Sequence, residues 1–89
     1  MIVVATEDFE VYHDVVAELR DRGVAFTTRE PGDDFPDRTR VVIRASGEDD
    51  PLPADVDPVV AAAGGARRAV ADAVSILRGE EGRTLVGAV

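Results

Sequence analysis

Residues 2–28, with the sequence IVVATEDFEVYHDVVAELRDRGVAFTT, decide the fold class of this 89-residue chain. The short apolar run at its start is rich in β-branched residues and predicts a buried strand over 2–5. An amphipathic helical period follows and predicts a helix over 8–22, which Gly23 would end. A further apolar run predicts a strand over 24–28. A helical connection of this length usually returns the chain parallel and right-handed, so the opening third is a β-α-β unit.

The predicted first helix begins with acidic residues, which the positive end of the helix dipole favours. Thr6 is the expected N-cap, with Glu7 and Asp8 in the first turn. The sole histidine, His13, is expected at the surface or half-buried. The positions with helical spacing predict a stripe that faces the core, formed by Phe9, Tyr12, Val15, Val16 and Leu19.

The remaining sequence predicts more strands, two acidic loops and a second helix. The predicted elements are a strand over 40–45, a short strand over 57–63, a helix over 66–78 that Gly79 would end, and a last strand over 84–89. A helix that starts at Asp57, with Pro58 in its first turn, remains the alternative for the segment 57–63. The Pro-containing stretches 30–37 and 47–57 predict acidic loops.

These elements predict a small layered α/β domain of the order β-α-β-β-(β)-α-β, Rossmann-like with a degraded crossover. The link of about ten residues between the second and third strands is short for a crossover, so a hairpin there, and an α+β fold, is the alternative. We expect residues 1–89 to form a single domain. The apolar ending at Val89 is compatible with a final strand, and also with the N-terminal part of a longer protein.

The composition is acidic and restricted. The chain has no Lys, Asn, Gln, Cys or Trp, and ten Arg stand against 18 Asp and Glu, for a net charge of −8. This amino-acid composition resembles that of cytoplasmic proteins from salt-loving haloarchaea. The whole chain also resembles small haloarchaeal α/β proteins, a resemblance that implies no particular activity. We therefore expect a cytoplasmic protein with no membrane span, and we expect nucleic-acid binding to be disfavoured because no basic face is evident. The lack of Cys excludes disulfides and Cys-ligated zinc.

Two further resemblances concern function. The ending Leu-Val-Gly-Ala-Val over 85–89 resembles the first strand of RNase H-like domains, but the acidic residue that continues such a strand is missing here. The β-α rhythm resembles that of phospho-acceptor receiver domains, which need an Asp at the end of the third strand and a Lys near the end of a later one. The third strand here continues into Arg44-Ala45-Ser46, and no Lys is present. We therefore expect that the chain is not a receiver domain.

Acidic residues follow the first two predicted strands, where the carboxyl ends of parallel strands meet at one edge of a sheet. Thr6, Glu7 and Asp8 follow the first strand. Three carboxylates follow the second strand: Asp33, Asp34 and Asp37. Clustered carboxylates of this kind bind Mg²⁺ with several waters retained. The alternative is surface acid of the halophilic type together with ordinary helix capping.

A second candidate ligand site lies at the start of the second helix. Gly64 and Gly65 precede this helix, and Arg67 lies in its first turn. Backbone N–H groups at a helix start attract anions, although the spacing of a dinucleotide or P-loop motif is absent. The alternative is a flexible turn beside a solvated arginine.

No catalytic constellation is readable, so we assign no catalytic residue, no metal ligand and no cofactor, and expect a chain without enzymatic turnover or tight nucleotide binding. The first hypothesis is a non-catalytic α/β module for protein interaction or regulation, whose partner is an unidentified protein or a second copy of the chain. One alternative is a small-ligand or Mg²⁺-dependent enzyme that uses the acidic strand ends. The other is a nucleic-acid-associated module of a larger protein.

Overall fold

A computed structural model describes residues 1–30 and 32–87, with side chains up to residue 79. The elements in chain order are β1 (Ile2–Val4), α1 (Phe9–Asp21), β2 (Phe26–Thr28), β3 (Val41–Ala45), β4 (Asp57–Ala61) and α2 (Ala66–Gly87). Four strands form one sheet in the order β2-β1-β3-β4, and all three pairings are parallel. The prediction of an α/β fold is therefore confirmed, and the hairpin alternative with an α+β fold is wrong.

The strand β1 is an inner strand of the sheet, between β2 and β3. Ile2 is aligned with Phe26 on β2 and with Val41 on β3. β1 pairs with a strand on each side, and its three residues are all buried although their side chains alternate between the two faces of the sheet. This short apolar run can serve only as a central strand, as its composition predicts.

Both helices contribute to one core on the same face of the sheet. The residues that build it from the strands include Ile2, Val4, Val41, Ile43, Val59 and Ala61, and those from the helices are Val11, Val15, Leu19, Ala69, Val70 and Ala73. The predicted core faces of the helices are thus largely confirmed. Phe9 is the exception, since it is 74% exposed and Val11 takes the core position at the start of α1. The N-cap also lies later than expected, because the side chain of Asp8 accepts the N–H groups of Glu10 and Val11.

The opposite face of the sheet is covered by the connections that follow β2 and β3. Val3 and Val42 point away from the helices yet are almost fully buried. Phe35 from the first connection and Leu52 from the second line a small cavity together with Val42. Two parallel crossovers are therefore made without a helix in their described residues, although such crossovers usually contain one.

The outer edge of the sheet is formed by β4, where the short strand predicted over 57–63 is confirmed. The N–H of Asp57 donates to the carbonyl of Arg40 at 2.9 Å, so alternate residues of β4 face β3. Pro58 therefore faces outward, where its missing N–H leaves no gap in the ladder. A proline at this position also limits pairing of the edge with another strand.

The end of the chain differs from the prediction. The helix α2 continues through Gly79 to Gly87, so the expected helix end at Gly79 and the strand expected over 84–89 are wrong for the described residues; positions 88 and 89 lie outside them. A strand needs an edge to pair with, and Pro58 blunts the nearest one. Helix formers such as Glu80, Glu81 and Arg83 instead continue the backbone hydrogen bonds along α2. In the part of the chain that the structure describes, no helix has the length and apolarity to cross a membrane.

Candidate site at the carboxyl ends of the strands

The carboxyl ends of β1 and β3 meet at the point where the strand order changes direction. The chain goes from β1 outward to β2, then crosses back to β3 on the other side of β1. Ligands of open α/β sheets bind in the crevice at such a switch point. In this chain the crevice is surrounded by the carboxyl-edge site, which we define as Thr6, Glu7, Arg29, Arg44, Glu48 and Asp50.

A carboxylate of the chain itself occupies this switch point. Glu48 accepts the backbone N–H of Glu7, after β1, at 2.8 Å and that of Ala45, at the end of β3, at 2.6 Å. The hydroxyl of Thr6 adds a further hydrogen bond to the same carboxylate. Glu48 therefore holds the loop after β1 and the loop after β3 together.

A tight turn after β3 returns Glu48 to the sheet. The N–H of Glu48 donates to the carbonyl of Ala45 at 3.3 Å, and Gly47 within the turn has a φ of +88°. This left-handed conformation favours glycine at the third position of a β-turn. The Ser-Gly-Glu sequence directly after β3 is thus the local signal for Glu48, which reasoning from the sequence missed.

The pKa of Glu48 reflects these contacts. Partial burial alone raises the pKa of this carboxyl, because desolvation disfavours the charged form. Hydrogen bonds from Thr6, Glu7 and Ala45, together with the positive charge of Arg44, outweigh the burial and lower the pKa below its usual value of 4.5. Glu48 is consequently an anion at neutral pH.

Two arginines complete the carboxyl-edge site. Arg44 donates from Nη1 to the carbonyl of Asp50 at 3.0 Å, and its buried Nε atom has no hydrogen-bond partner among the described residues. The guanidinium of Arg29 lies 4.1 Å from the centre of the Phe35 ring and donates to the carbonyl of Asp33. Both cations therefore tie the two loops to the sheet.

Little empty space remains between these groups. The space beside Thr6, Glu7 and Glu48 has a volume of about 10 Å³. A single water needs roughly 10–15 Å³ by the same measure, so the space enclosed between these groups is about that of one water.

The structure brings only part of the predicted acidic cluster together. Thr6 and Glu7 line the carboxyl-edge site, whereas the carboxylate of Asp8 caps α1. The carboxylates of the loop after β2 do not line this site: Asp33, Asp34 and Asp37. Within the described residues, no three His, Cys, Asp or Glu side chains form a group that could hold a metal ion.

The second predicted site lies apart from the first. The N–H of Gly65 donates to the carbonyl of Ala62 at 2.8 Å, and Gly64 has a φ of +78° within the same turn. Arg67 lies 3.5 Å from the carboxylate of Glu18. Because this N–H bonds within the turn and this arginine pairs with an acid, the described geometry does not gather them around an anion.

The parallel order β2-β1-β3-β4 corresponds to the first four strands of the doubly wound order 2-1-3-4-5, in which the switch point lies between β1 and β3. Comparison with family profiles agrees with this topology, since the profile of the response regulator receiver-like domain, a family of halophilic archaea, matches residues 1–77. The chain belongs to this receiver-like family. Searches of the curated proteins and of the solved structures gave no significant match.

The family match shows a receiver-like fold, whereas the expectation from the sequence was that the chain is not a phospho-acceptor receiver domain. That expectation relied on the missing Asp and Lys, but a domain can retain the receiver-like fold after losing residues of its site. In this receiver-like domain β3 ends at Ala45, directly after Arg44, and Glu48 bonds to its last N–H. The resemblance to an RNase H-like strand at 85–89 has no support, because residues up to Gly87 are helical.

Proposed function

We propose that this receiver-like domain is a regulatory interaction module that works without phosphorylation. The observation that carries the proposal is the position of Glu48, whose carboxylate lies between the ends of β1 and β3 and bonds to both. Receiver domains of the phospho-acceptor type need an Asp at the end of β3 and a Lys from a later strand. This chain has Arg44-Ala45-Ser46 at the first position and no Lys at all.

The hydrogen bonds of Glu48 support a permanently closed switch point. In a phospho-acceptor site, the incoming phosphoryl group supplies the negative charge that draws neighbouring donors towards it. Here Glu48 already supplies a negative charge to the N–H of Glu7, the N–H of Ala45 and the hydroxyl of Thr6. The domain would therefore hold one conformation and offer a constant surface to its partner.

The test exposes the chain to acetyl phosphate and Mg²⁺, followed by intact-mass measurement and backbone amide NMR. We expect no covalent phosphoryl group, and no saturable shift of the amide signals of Glu7 and Ala45. A phosphoryl adduct on the wild-type chain would overturn the proposal.

Two matched variants test whether the hydrogen bonds of Glu48 to the N–H groups of Glu7 and Ala45, which we call the clamp, matter beyond the general acidity of the loop. Glu48→Gln should shift the amide signals of Glu7 and Ala45, because an amide side chain offers one acceptor oxygen in place of two. Asp49→Asn changes the exposed neighbouring carboxylate by the same chemistry and should leave those two signals in place. Equal shifts in the two variants would show that Glu48 has no special role.

A further inference from the structure

The clamp uses the two oxygens of one carboxylate separately. Oε2 of Glu48 accepts the N–H of Glu7 at 2.8 Å, and Oε1 accepts the N–H of Ala45 at 2.6 Å. An ionised carboxylate offers two acceptor oxygens in one plane, so two N–H groups that each take one of them match its shape. These donors therefore select a carboxylate, provided that the fold keeps them in place without Glu48.

Contacts that do not involve Glu48 hold the donors after β1. The hydroxyl oxygen of Thr6 accepts the N–H of Asp8 at 3.0 Å, which leaves the hydroxyl proton to be donated to an anion. Asp8 in turn caps the first turn of α1. The loop that carries the N–H of Glu7 is thus fixed by the sheet at its start and by the helix cap at its end.

The N–H of Ala45 is a donor that the sheet itself leaves open. The N–H of Val41 donates to the carbonyl of Met1, so alternate residues of β3, Ala45 included, face β1. The paired residues of β1 end at Val4, before they reach the level of Ala45. On the other side, Ala45 is paired with Ala61 of β4. This N–H therefore points into the switch point whichever residue stands at position 48.

The carboxylate, in contrast to its donors, belongs to a loop. Glu48 lies in the turn after β3, outside the strands. The positive charge beside it comes from the sheet, because Arg44 is a residue of β3. The scaffold thus supplies the donors and the cation, and only the anion is supplied by a loop.

We propose that the carboxyl-edge site is a binding site for a carboxylate group, which Glu48 fills as a tethered ligand and so closes to carboxylates from outside. This deepens the proposed function, on which it rests, because it names the chemical group that the closed switch point accepts. A ligand tethered through a short turn has a high effective concentration at its site. The wild-type chain therefore keeps free carboxylates out, and removal of the Glu48 side chain opens the site to them.

Formate tests the proposal, because it is a carboxylate without the rest of a side chain. Titration of formate into Glu48→Ala should give a saturable shift of the amide NMR signals of Glu7 and Ala45, which potassium chloride at the same concentration does not give. The matched control is Asp49→Ala, which removes the exposed neighbouring carboxylate and leaves Glu48 in place. Formate should bind Glu48→Ala at least about tenfold more tightly than Asp49→Ala, because hydrogen bonds to a charged group are the strong ones.

A change of one donor tests the binding position. In the Glu48→Ala background, Thr6→Val removes the hydroxyl and should weaken formate binding about tenfold. Thr6→Ser keeps the hydroxyl and should retain most of the affinity. Equal affinities in these two double variants would show that formate does not bind at the carboxyl-edge site, and would overturn the proposal.

A Glu48→Ala chain that is unfolded in dilute buffer still gives a result, because a ligand that binds only the folded state drives refolding. Formate should then restore the helical circular dichroism at concentrations at which chloride does not. If formate has no saturable effect beyond that of chloride, or binds Asp49→Ala equally well, the proposal is wrong. A phosphoryl adduct on the wild-type chain would overturn the proposed function alone, since the formate titration does not involve phosphorylation.

The same variant distinguishes two sources of the carboxylate. A short peptide with one glutamate is compared with the same peptide that has glutamine in its place. Binding of the glutamate peptide alone would assign the site to an acidic side chain of a partner protein. Binding of formate without either peptide would assign it to a small free carboxylate.

Discussion

The two faces of the sheet are covered by different kinds of structure. On one face, α1 and α2 place Val15, Leu19 and Val70 into a continuous core, and the helices satisfy their own backbone groups. On the other face, two acidic connections cover Val3 and Val42, with Phe35 and Leu52 as their partly buried apolar residues.

Because a loop has no regular backbone ladder, its polar groups need other partners. The loop face accordingly relies on side-chain contacts with the backbone. Thr39, which is buried, donates to the carbonyl of Pro36 at 2.7 Å, and Arg44 donates to that of Asp50. Glu48 accepts two N–H groups in the same way. One face is thus held by packing and the other by a few specific polar contacts, so the two faces should respond differently to mutation and to solvent.

The largest expected effect compares one leucine from each face. Leu19 of α1 is fully buried. Leu19→Ala should therefore lower the free energy of unfolding by about 3 kcal/mol. Leu52→Ala removes a half-buried side chain from the loop face and should cost about 1 kcal/mol. Urea denaturation of the two variants measures both values, and equal losses would remove the distinction between the faces.

The next effect concerns the clamp of the loop face. Glu48→Ala leaves the N–H groups of Glu7 and Ala45 without their charged acceptor. The loss of this acceptor should destabilise the domain by about 2 kcal/mol. The neighbouring Asp49 is exposed. Asp49→Ala should therefore change the stability only slightly, by about 0.5 kcal/mol at most. If both variants lose the same stability, the clamp contributes nothing beyond the charge of the loop.

The same clamp predicts a pH dependence. The folded state lowers the pKa of Glu48, so its contribution is fully present above the usual pKa of 4.5 and is lost as the pH falls below that value through the folded pKa. The difference in stability between the wild type and Glu48→Gln should therefore shrink below pH 4.5. Denaturation curves across that range measure it, and a difference that grows on acidification would contradict the assignment.

A smaller effect should appear with salt. The connections 29–40 and 46–56 carry eight of the 18 carboxylates, four in each, and only the first also holds arginines, three of them. Repulsion on the loop face is therefore concentrated in the connection 46–56. Molar KCl screens this repulsion and should raise the melting temperature by about 5 °C, equivalent to roughly 1 kcal/mol. Hydrogen exchange should slow more at Val42 than at Val15, and a melting temperature that is constant or falls with KCl would contradict the expectation.

The smallest effect on stability is expected at the edge strand β4, which belongs to both faces of the sheet. Pro58→Val restores an outward N–H on β4 and should change the free energy of unfolding by about 0.5 kcal/mol at most. It should nevertheless promote association through the strand edge, detectable by light scattering. If the variant scatters no more light than its parent, Pro58 does not protect the edge from association.

Several parts of the fold and the site could not be predicted from local pattern, for identifiable reasons. Phe9 has the spacing of a core residue, but the sheet lies under the neighbouring flank of α1 and buries Val11 instead. Glu48 looked like one carboxylate among 18, because only the pairing of β1 with β3 brings the two N–H groups to it. The missing Asp and Lys argued against a phospho-acceptor receiver domain; they concern the chemistry of the site, whereas the receiver-like family match concerns the fold.

Elements whose signal is local can be predicted from the sequence. The apolar run at Ile2, the amphipathic period of α1 and the acidic composition are each readable without tertiary contacts, because burial and helix periodicity repeat within a few residues. The strand order, the covering of the second face by loops and the position of Glu48 were settled only by tertiary contacts. Each of these depends on which segments meet across the sheet, and contacts between distant residues leave no periodic trace in a single chain.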